Sequence, residues 1–316
     1  MTTEGITGNQ GMVEAPVSAK ESLAANAHIT GRKHTNVGEN KIKIHPFQTG
    51  TVDIKTAHRV RKPGGLIRVF TDSRWTEWLP IYTWVIEHPE GIIVVDTGET
   101  SKSSDPDYYP HWHPYYRYSL RMNVRPEDEI GPQLGSMGIT QEDIKALVLT
   151  HFHTDHAGGL HDFPGTEILA SGSDHRLASG FGGRLRGYLP NRWPEWFSPK
   201  LIAFEPERFG PFEQSYKVTK AGDVLIVPTP GHTFGHVSVV VNTEDVTFFL
   251  PGDTSYSQSL LIGRTPDGVS PRASVAIDTM DRILGLADSR PLVYLPTHDP
   301  ESVDRLAEKR LLGESL

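Results

Sequence analysis

Residues 150–159 read Thr150-His151-Phe152-His153-Thr154-Asp155-His156-Ala157-Gly158-Gly159 and follow directly on an apolar run at 144–149. That run is short and aliphatic and ends in polar residues, which predicts a buried strand. Strand side chains alternate, so His151 and His153 leave it toward one side. The turn that follows brings Asp155 and His156 round to a neighbouring point. Imidazole nitrogens with a carboxylate suit zinc and similar divalent ions. A surface loop that merely tolerates histidine would read the same way, so the rest of the chain has to decide.

The 316-residue chain carries 37% hydrophobic and 22% charged residues and a formal charge of −8. This is the balance of an ordinary globular enzyme, in one large domain or two average ones. An acidic chain lacks the basic face that nucleic acid or an anionic membrane needs, so neither is expected as a partner. No run approaches the about 18 consecutive apolar residues of a membrane span. Residues 1–20 lack the basic-then-apolar pattern of a secretory signal, and a cytoplasmic location is expected. The chain has no cysteine. Disulfides and thiolate ligands are therefore excluded, and any metal centre must be built from His, Asp and Glu.

Residues 1–40 are poor in aromatic and β-branched clusters, which suggests an extension that is flexible, wraps the surface or is exchanged between subunits, with a short helix near 19–25. One domain is expected over 41–316. Alternating or β-branched runs predict strands at 42–47, 49–54, 79–88, 91–98, 168–170, 224–227, 238–242, 246–250 and 292–295. Apolar spacing predicts helices over 126–137 and 274–286, and another opening near Asp174. Asp96 ends the strand at 91–98, where its carboxylate either satisfies turn backbone or supports the histidine cluster. Two aromatic stretches, 101–126 and 181–212, read as loops forming a lid, a cap or a subunit contact of a homodimer. His111 and His113 copy the HxH spacing without a following carboxylate, and His175 reads as surface; none is expected to be a ligand.

The motif of an apolar strand followed by a metal-capable residue recurs. It appears at His151/His153, at His232 in Pro230-Gly231-His232-Thr233, at Asp253 in Pro251-Gly252-Asp253, and at His298 in Pro296-Thr297-His298-Asp299. Each instance alone is weak, and four together are strong. They sort into His151, His153 and His232 as one set and Asp155, His156 and His298 as another. Asp253 remains over, and a carboxylate can bridge two cations through its two oxygens.

With His151-x-His153-x-Asp155-His156, Asp96-Thr97-Gly98, His232 and Gly252-Asp253 in place, the sequence from Ile42 onward resembles the metallo-β-lactamase superfamily of dimetal hydrolases. The resemblance implies an α/β four-layer αββα sandwich, with the aromatic loops as insertions and the site at the edge where strands of both halves end. It implies two divalent ions, zinc foremost, with cobalt, manganese or iron as other occupants. His151, His153 and His232 would bind the first, Asp155, His156 and His298 the second, with Asp253 and a water or hydroxide between them.

Branches that use a cysteine ligand are excluded, the remaining lactamase type lacks the bridging Asp, and flavin-linked di-iron members carry Glu where this chain has His153. Tyr256, three residues after Asp253, and the pair His298-Asp299 resemble the N-acyl-homoserine lactonase branch. That branch implies attack of a metal-bridging hydroxide on a lactone carbonyl, with Asp253, Tyr256 and Asp155 as the catalytic side chains. Other readings are a phosphotriesterase or aryl esterase of the same superfamily and a mononuclear iron dioxygenase. A glutathione thioesterase would need a C-terminal helical domain that the sequence after His298 does not offer. The expected substrate is a small lactone or ester.

Overall fold

The aliphatic runs pair into two sheets. In the computed structural model the described residues are 41–314; the extension at 1–40 and its expected helix at 19–25 lie outside them. The first sheet has seven strands: β1 (Lys43–Ile54), β2 (Leu79–His88), β3 (Gly91–Val95), β4 (Leu120–Asn123), β5 (Ile144–Val148), β6 (Ile168–Ala170) and β7 (Lys200–Leu201). Their spatial order is β4-β1-β2-β3-β5-β6-β7. The second holds β8 (Tyr216–Lys217), β9 (Val224–Pro228), β10 (Val237–Asn242), β11 (Thr247–Leu250) and β12 (Leu292–Tyr294), in the order β12-β11-β10-β9-β8. The runs at 42–47 and 49–54 are one strand, β1, whose register against β2 shifts between Gln48 and Thr51.

Period-two alternation explains the layers. Trp84, Ile86, Ile93, Val95 and Val148 of the first sheet meet Ile226, Val239, Val241, Phe248 and Val293 of the second. Their sequence neighbours Val85, Val94 and Leu147 turn the other way, onto Ile130, Leu134, Leu160 and Phe163. On the far side, Leu225, Val227, Val240 and Phe249 lie under Met280, Ile283 and Leu286 of the helix Ala273–Ala287. Both faces of both sheets are thus covered, giving the α/β four-layer αββα sandwich.

Strand direction sets where the site forms. β3, β5 and β6 are mutually parallel, β11 and β12 are parallel, and β9 and β11 both run antiparallel to β10. The residues that follow β3, β5, β9, β11 and β12 therefore leave in common directions and meet. Residues 101–126 are less loop-like than expected. They contain a helix, Pro114–Tyr118, and β4, which pairs with β1. Tyr108 and Tyr116 are buried while Trp112 and Tyr118 are exposed, so the stretch is stitched to the sheet edge rather than hanging free as a lid. Among the described residues no helix is long and apolar enough to cross a membrane.

Ile283 is completely buried where the helix meets the second sheet. Ile283→Ala is expected to lower unfolding free energy by about 2–5 kcal/mol, read as a lower urea midpoint with unchanged metal content.

Candidate metal centre

β5 ends at Val148, so His151 and His153 stand on an irregular exit loop and not on the strand itself. They still converge, through different ring atoms. Nε2 of His151 lies 3.0 Å from Nδ1 of His153, which lies 2.9 Å from Nε2 of His232. Nitrogens about 2.0–2.1 Å from one zinc ion and 90–110° apart stand roughly 2.9–3.4 Å from each other. The three rings thus already have the spacing of ligands around a point.

The next residues form a one-turn helix, Thr154–Ala157, which swings Asp155 and His156 to a second point. There Asp155 Oδ2 is 3.4 Å from Nε2 of His298, and the three side chains Asp155, His156 and His298 offer ligand atoms to one place. Asp253 lies between the sets. Its Oδ1 is 3.2 Å from Nε2 of His156 and 3.3 Å from Nε2 of His298, while Oδ2 is 3.5 Å from Nε2 of His232. All seven residues singled out in the sequence are brought together.

These contacts are close without being aligned. His156 Nε2, His298 Nε2 and Asp253 Oδ1 are buried and have no hydrogen-bond partner of acceptable geometry. Buried polar atoms are rarely left so, and side-by-side atoms facing one common point are what cation ligands present. The donor set and its orphaned atoms fit a pair of divalent ions.

The opposite ring atoms are held. His156 Nδ1 is 2.8 Å from Asp96 Oδ2, His232 Nδ1 is 3.0 Å from Asp267 Oδ2, His298 Nδ1 donates to the Pro80 carbonyl at 2.8 Å, and His151 Nδ1 is 3.1 Å from Thr150 Oγ1. Such partners fix the tautomer and aim the other nitrogen. Asp96 fills both roles left open for it, since it also accepts from the Thr150 backbone N–H at 2.7 Å, and it does so at φ 63°. Gly252 is required beside Asp253. It adopts φ 55°, and a Cβ there would lie 2.8 Å from Thr150 Oγ1 and 2.9 Å from His236 Nε2, the latter accepting the Asp253 N–H.

Charge follows the same division. Burial, joined by the neighbouring His232, pushes His153 down to about 3, and burial with the surrounding imidazoles holds His151 well below its ordinary value. Burial also opposes charge on His298, but the carboxylates of Asp253 and Asp155 outweigh it and raise the ring to about 10. Asp155 is opposed by burial yet held at about 2 by His156 and His298.

Above the ligands lies a cleft of about 960 Å³ including its open mouth. Tyr256 lines it, stacked on His298 with centroids 5.2 Å apart. Val52, Ile54, Leu66, Phe70, Leu120 and Met122 line it with apolar surface, and Tyr115, Tyr116 and Tyr188 add aromatic walls. His113 reaches the cleft, while His111 is exposed against Asp107; neither joins a ligand group among the described residues. His175 packs against Phe152 and Trp193, away from the ligands. Asp299 turns from the site to accept the Gln258 N–H and pair with buried Arg305. Asp267, His58, His236 and Glu99 escape the sequence reading. Asp267 in Pro266-Asp267-Gly268 looks like any turn aspartate, and His58 sits on a helix of four residues, Thr56–Arg59, too short for periodicity.

Two ligand sets sharing one carboxylate at the edge of an αββα sandwich define a dinuclear metallohydrolase type of site. A family model described as the metallo-beta-lactamase superfamily matches residues 76–298, and the chain belongs to that superfamily. It is 31% identical over 185 residues to a "probable metallo-hydrolase" of Mycobacterium tuberculosis, an alignment covering 57% of this chain and 58% of that protein, so the chain spans less than two thirds of this relative. It is 28% identical over 225 residues to an N-acyl homoserine lactonase of Bacillus cereus, covering 69% of this chain and 77% of the relative. A solved N-acyl homoserine lactone hydrolase holding the product N-hexanoyl-L-homoserine at its metal center superposes with a TM-score of 0.68 at 21% identity, over 87% of this chain and 98% of that one.

Asp267→Ala is expected to weaken the ion held by His151, His153 and His232 by about 10–100-fold, seen as partial loss of metal on dialysis against a weak chelator. A second expectation concerns Glu99, fully buried and pushed by burial up to about 7, against the Thr154 hydroxyl, the Thr100 N–H and the Tyr108 hydroxyl, which work to lower it. An acid whose folded pKa is raised contributes stability at low pH and loses it as pH climbs through the folded value. Relative to Glu99→Gln, the wild-type metal-loaded protein should lose on the order of 1–3 kcal/mol between pH 4.5 and pH 7.5; parallel melting curves across that range would contradict this.

Proposed function

We propose that the chain is a dimetal hydrolase that opens the ring of N-acyl-homoserine lactones. The observation that carries the reading is the placement of Tyr256 on the cleft wall beside Asp253 and His298, with an apolar lining beyond it. Likeness to lactonases of Bacillus at 28% identity supports the same substrate class. His151, His153 and His232 would hold one ion and Asp155, His156 and His298 the other, with Asp253 available to both; zinc suits these ligands. When bound, two such ions supply a Lewis acid for the ester carbonyl and a water of lowered pKa.

The chain's own residues do the rest. Tyr256 donates to the oxygen on which negative charge grows as the carbonyl becomes tetrahedral. When the ring C–O bond breaks, the leaving alkoxide needs a proton, and Asp253 is placed to pass it on, with the less buried Asp155 beside it. The apolar wall from Val52 to Met122 takes the acyl chain out of water. A phosphotriester or aryl ester is the second reading, favoured by the aromatic walls at Phe70, Tyr115, Tyr116 and Phe234. Seven ligands in two sets speak for two ions over the single iron of a dioxygenase.

Side-by-side kinetics on acyl-homoserine lactones and an organophosphate triester, with elemental analysis, test the assignment. The expected result is two metals per chain and a higher kcat/KM on the lactone. His153→Ala should abolish activity together with bound metal, whereas Tyr256→Phe should cut turnover roughly 10–100-fold with metal content intact. Unchanged turnover in the Tyr256 variant would remove the ground for preferring lactones.

A further inference from the structure

The Tyr256 hydroxyl is already engaged. Nε2 of His58 lies 3.0 Å from it, and Nδ1 of the same ring lies 3.2 Å from the Tyr115 hydroxyl. The three rings pack together, with His58 centroids 5.6 Å from Tyr256 and 5.5 Å from Tyr115. Tyr256 and His58 are both about 4% exposed, and all three side chains line the cleft. Burial pushes the His58 ring down to about 4, despite Asp267 nearby. At neutral pH it is therefore uncharged, with one N–H and one lone pair.

Two arrangements satisfy this chain of three groups. If Nδ1 carries the proton, Nε2 must accept, and Tyr256 spends its only proton on His58. Nothing is then left for a substrate oxygen. If Nε2 carries the proton, it donates to the Tyr256 oxygen, Tyr115 donates to Nδ1, and the Tyr256 O–H stays free toward the cleft. The second arrangement also polarises each successive donor, since hydrogen bonds in series strengthen one another where water is excluded.

We propose that His58 is a positioning residue for Tyr256: locked as the Nε2–H tautomer by the Tyr115 hydroxyl, it directs the Tyr256 proton at the substrate. The inference rests on the assignment of Tyr256 as donor to the ester. The backbone fixes the ring in place. The Gly268 N–H donates to the His58 carbonyl at 2.7 Å, and the close approach requires glycine, because a Cβ would lie 1.9 Å from the Ala57 oxygen. Asp267, one residue earlier, holds His232. One turn thus sets the positioning ring and one ligand together.

Long-range 1H–15N correlation spectra of the zinc-loaded full chain report the tautomer without any substrate. A protonated Nε2 on His58, lost to a mixture of tautomers in Tyr115→Phe, supports the relay; a protonated Nδ1 overturns it. The kinetic arm compares His58→Phe, Tyr256→Phe and the double variant on whichever ester the wild type cleaves. His58→Phe should lower kcat at least roughly tenfold, the worth of one hydrogen bond, and Tyr256→Phe by the roughly 10–100-fold expected of losing the donor itself, with KM little changed. The double variant should be no slower than Tyr256→Phe, since both changes remove the same donation. Multiplying losses, or full activity in His58→Phe at normal metal content, would overturn the proposal. If lactones are not cleaved but aryl esters are, the substrate assignment fails while both arms still judge the relay.

Discussion

The rest of the structure depends on the carboxylate of Asp253, placed between two groups of buried imidazoles. Removing a carboxylate from water costs several kcal/mol unless opposite charge or hydrogen bonds replace the solvent. Here the Asp253 N–H is satisfied by His236, but its Oδ1 faces His156 and His298 without an aligned hydrogen bond. With the rings charged, the pairs are electrostatically sound yet geometrically imperfect. With cations between them, the same positions become coordination. The arrangement is costly as a protein interior and sensible as a ligand cage, and so it argues for metal more strongly than any single histidine does.

Holding that cage requires rigidity that loops alone lack. Each candidate ligand follows a strand within five residues or rides the short helix after β5, and the strands are packed on both faces. Four of the five imidazoles of the cluster are then aimed by a second contact: Thr150, Asp96, Asp267 and the Pro80 carbonyl. Asp96 serves two elements at once. It ties the end of β3 to the start of the 150–159 loop through Thr150, and it orients His156. Its left-handed backbone is a strain of about 1–3 kcal/mol, tolerated because three donors converge on the one carboxylate.

The layers and the seven clustered His and Asp positions were legible because each rests on a pattern that recurs locally. Strands show as aliphatic runs, and the ligands show as His or Asp directly beyond them. What was hidden depends on distance in sequence. Asp267 matters only because folding sets it 3.0 Å from His232, and nothing in the turn that bears it signals this. His58 is isolated on a single helical turn after a strand, and only its approach to Tyr256, nearly two hundred residues away, gives it meaning. The aromatic stretch at 101–126 was visible as unusual, but its attachment through β4 to β1 was not, because the apolar–polar alternation of Leu120-Arg121-Met122-Asn123 is only four residues long and carries little periodic signal. Tyr256 showed both faces of its two readings: it is packed among Ile54, Leu79 and Ile81 and also presents its ring to the cleft.

The cleft divides unevenly between what the superfamily shares and what this chain supplies. The family match begins at residue 76 and takes in every ligand. Val52, Ile54, His58, Leu66 and Phe70, which form one wall of the cleft, all precede it. A metal centre polarises any ester carbonyl offered to it, so it discriminates poorly among acyl groups by itself. Discrimination must come from contacts that differ between substrates, and apolar contacts do so at about 1–3 kcal/mol for each methylene accommodated or refused. In this chain part of the apolar lining that could supply such contacts sits on β1 and the two short helices after it, the rest on β4 and the aromatic walls. The wall meets the metal side through Tyr256, which contacts His58, and through the 266–270 turn, which holds the His58 backbone with Gly268 and the His232 ring with Asp267. The cleft wall and the His232 ring are therefore joined through this turn, and changes that reshape the wall near His58 bear on the histidine cluster as well.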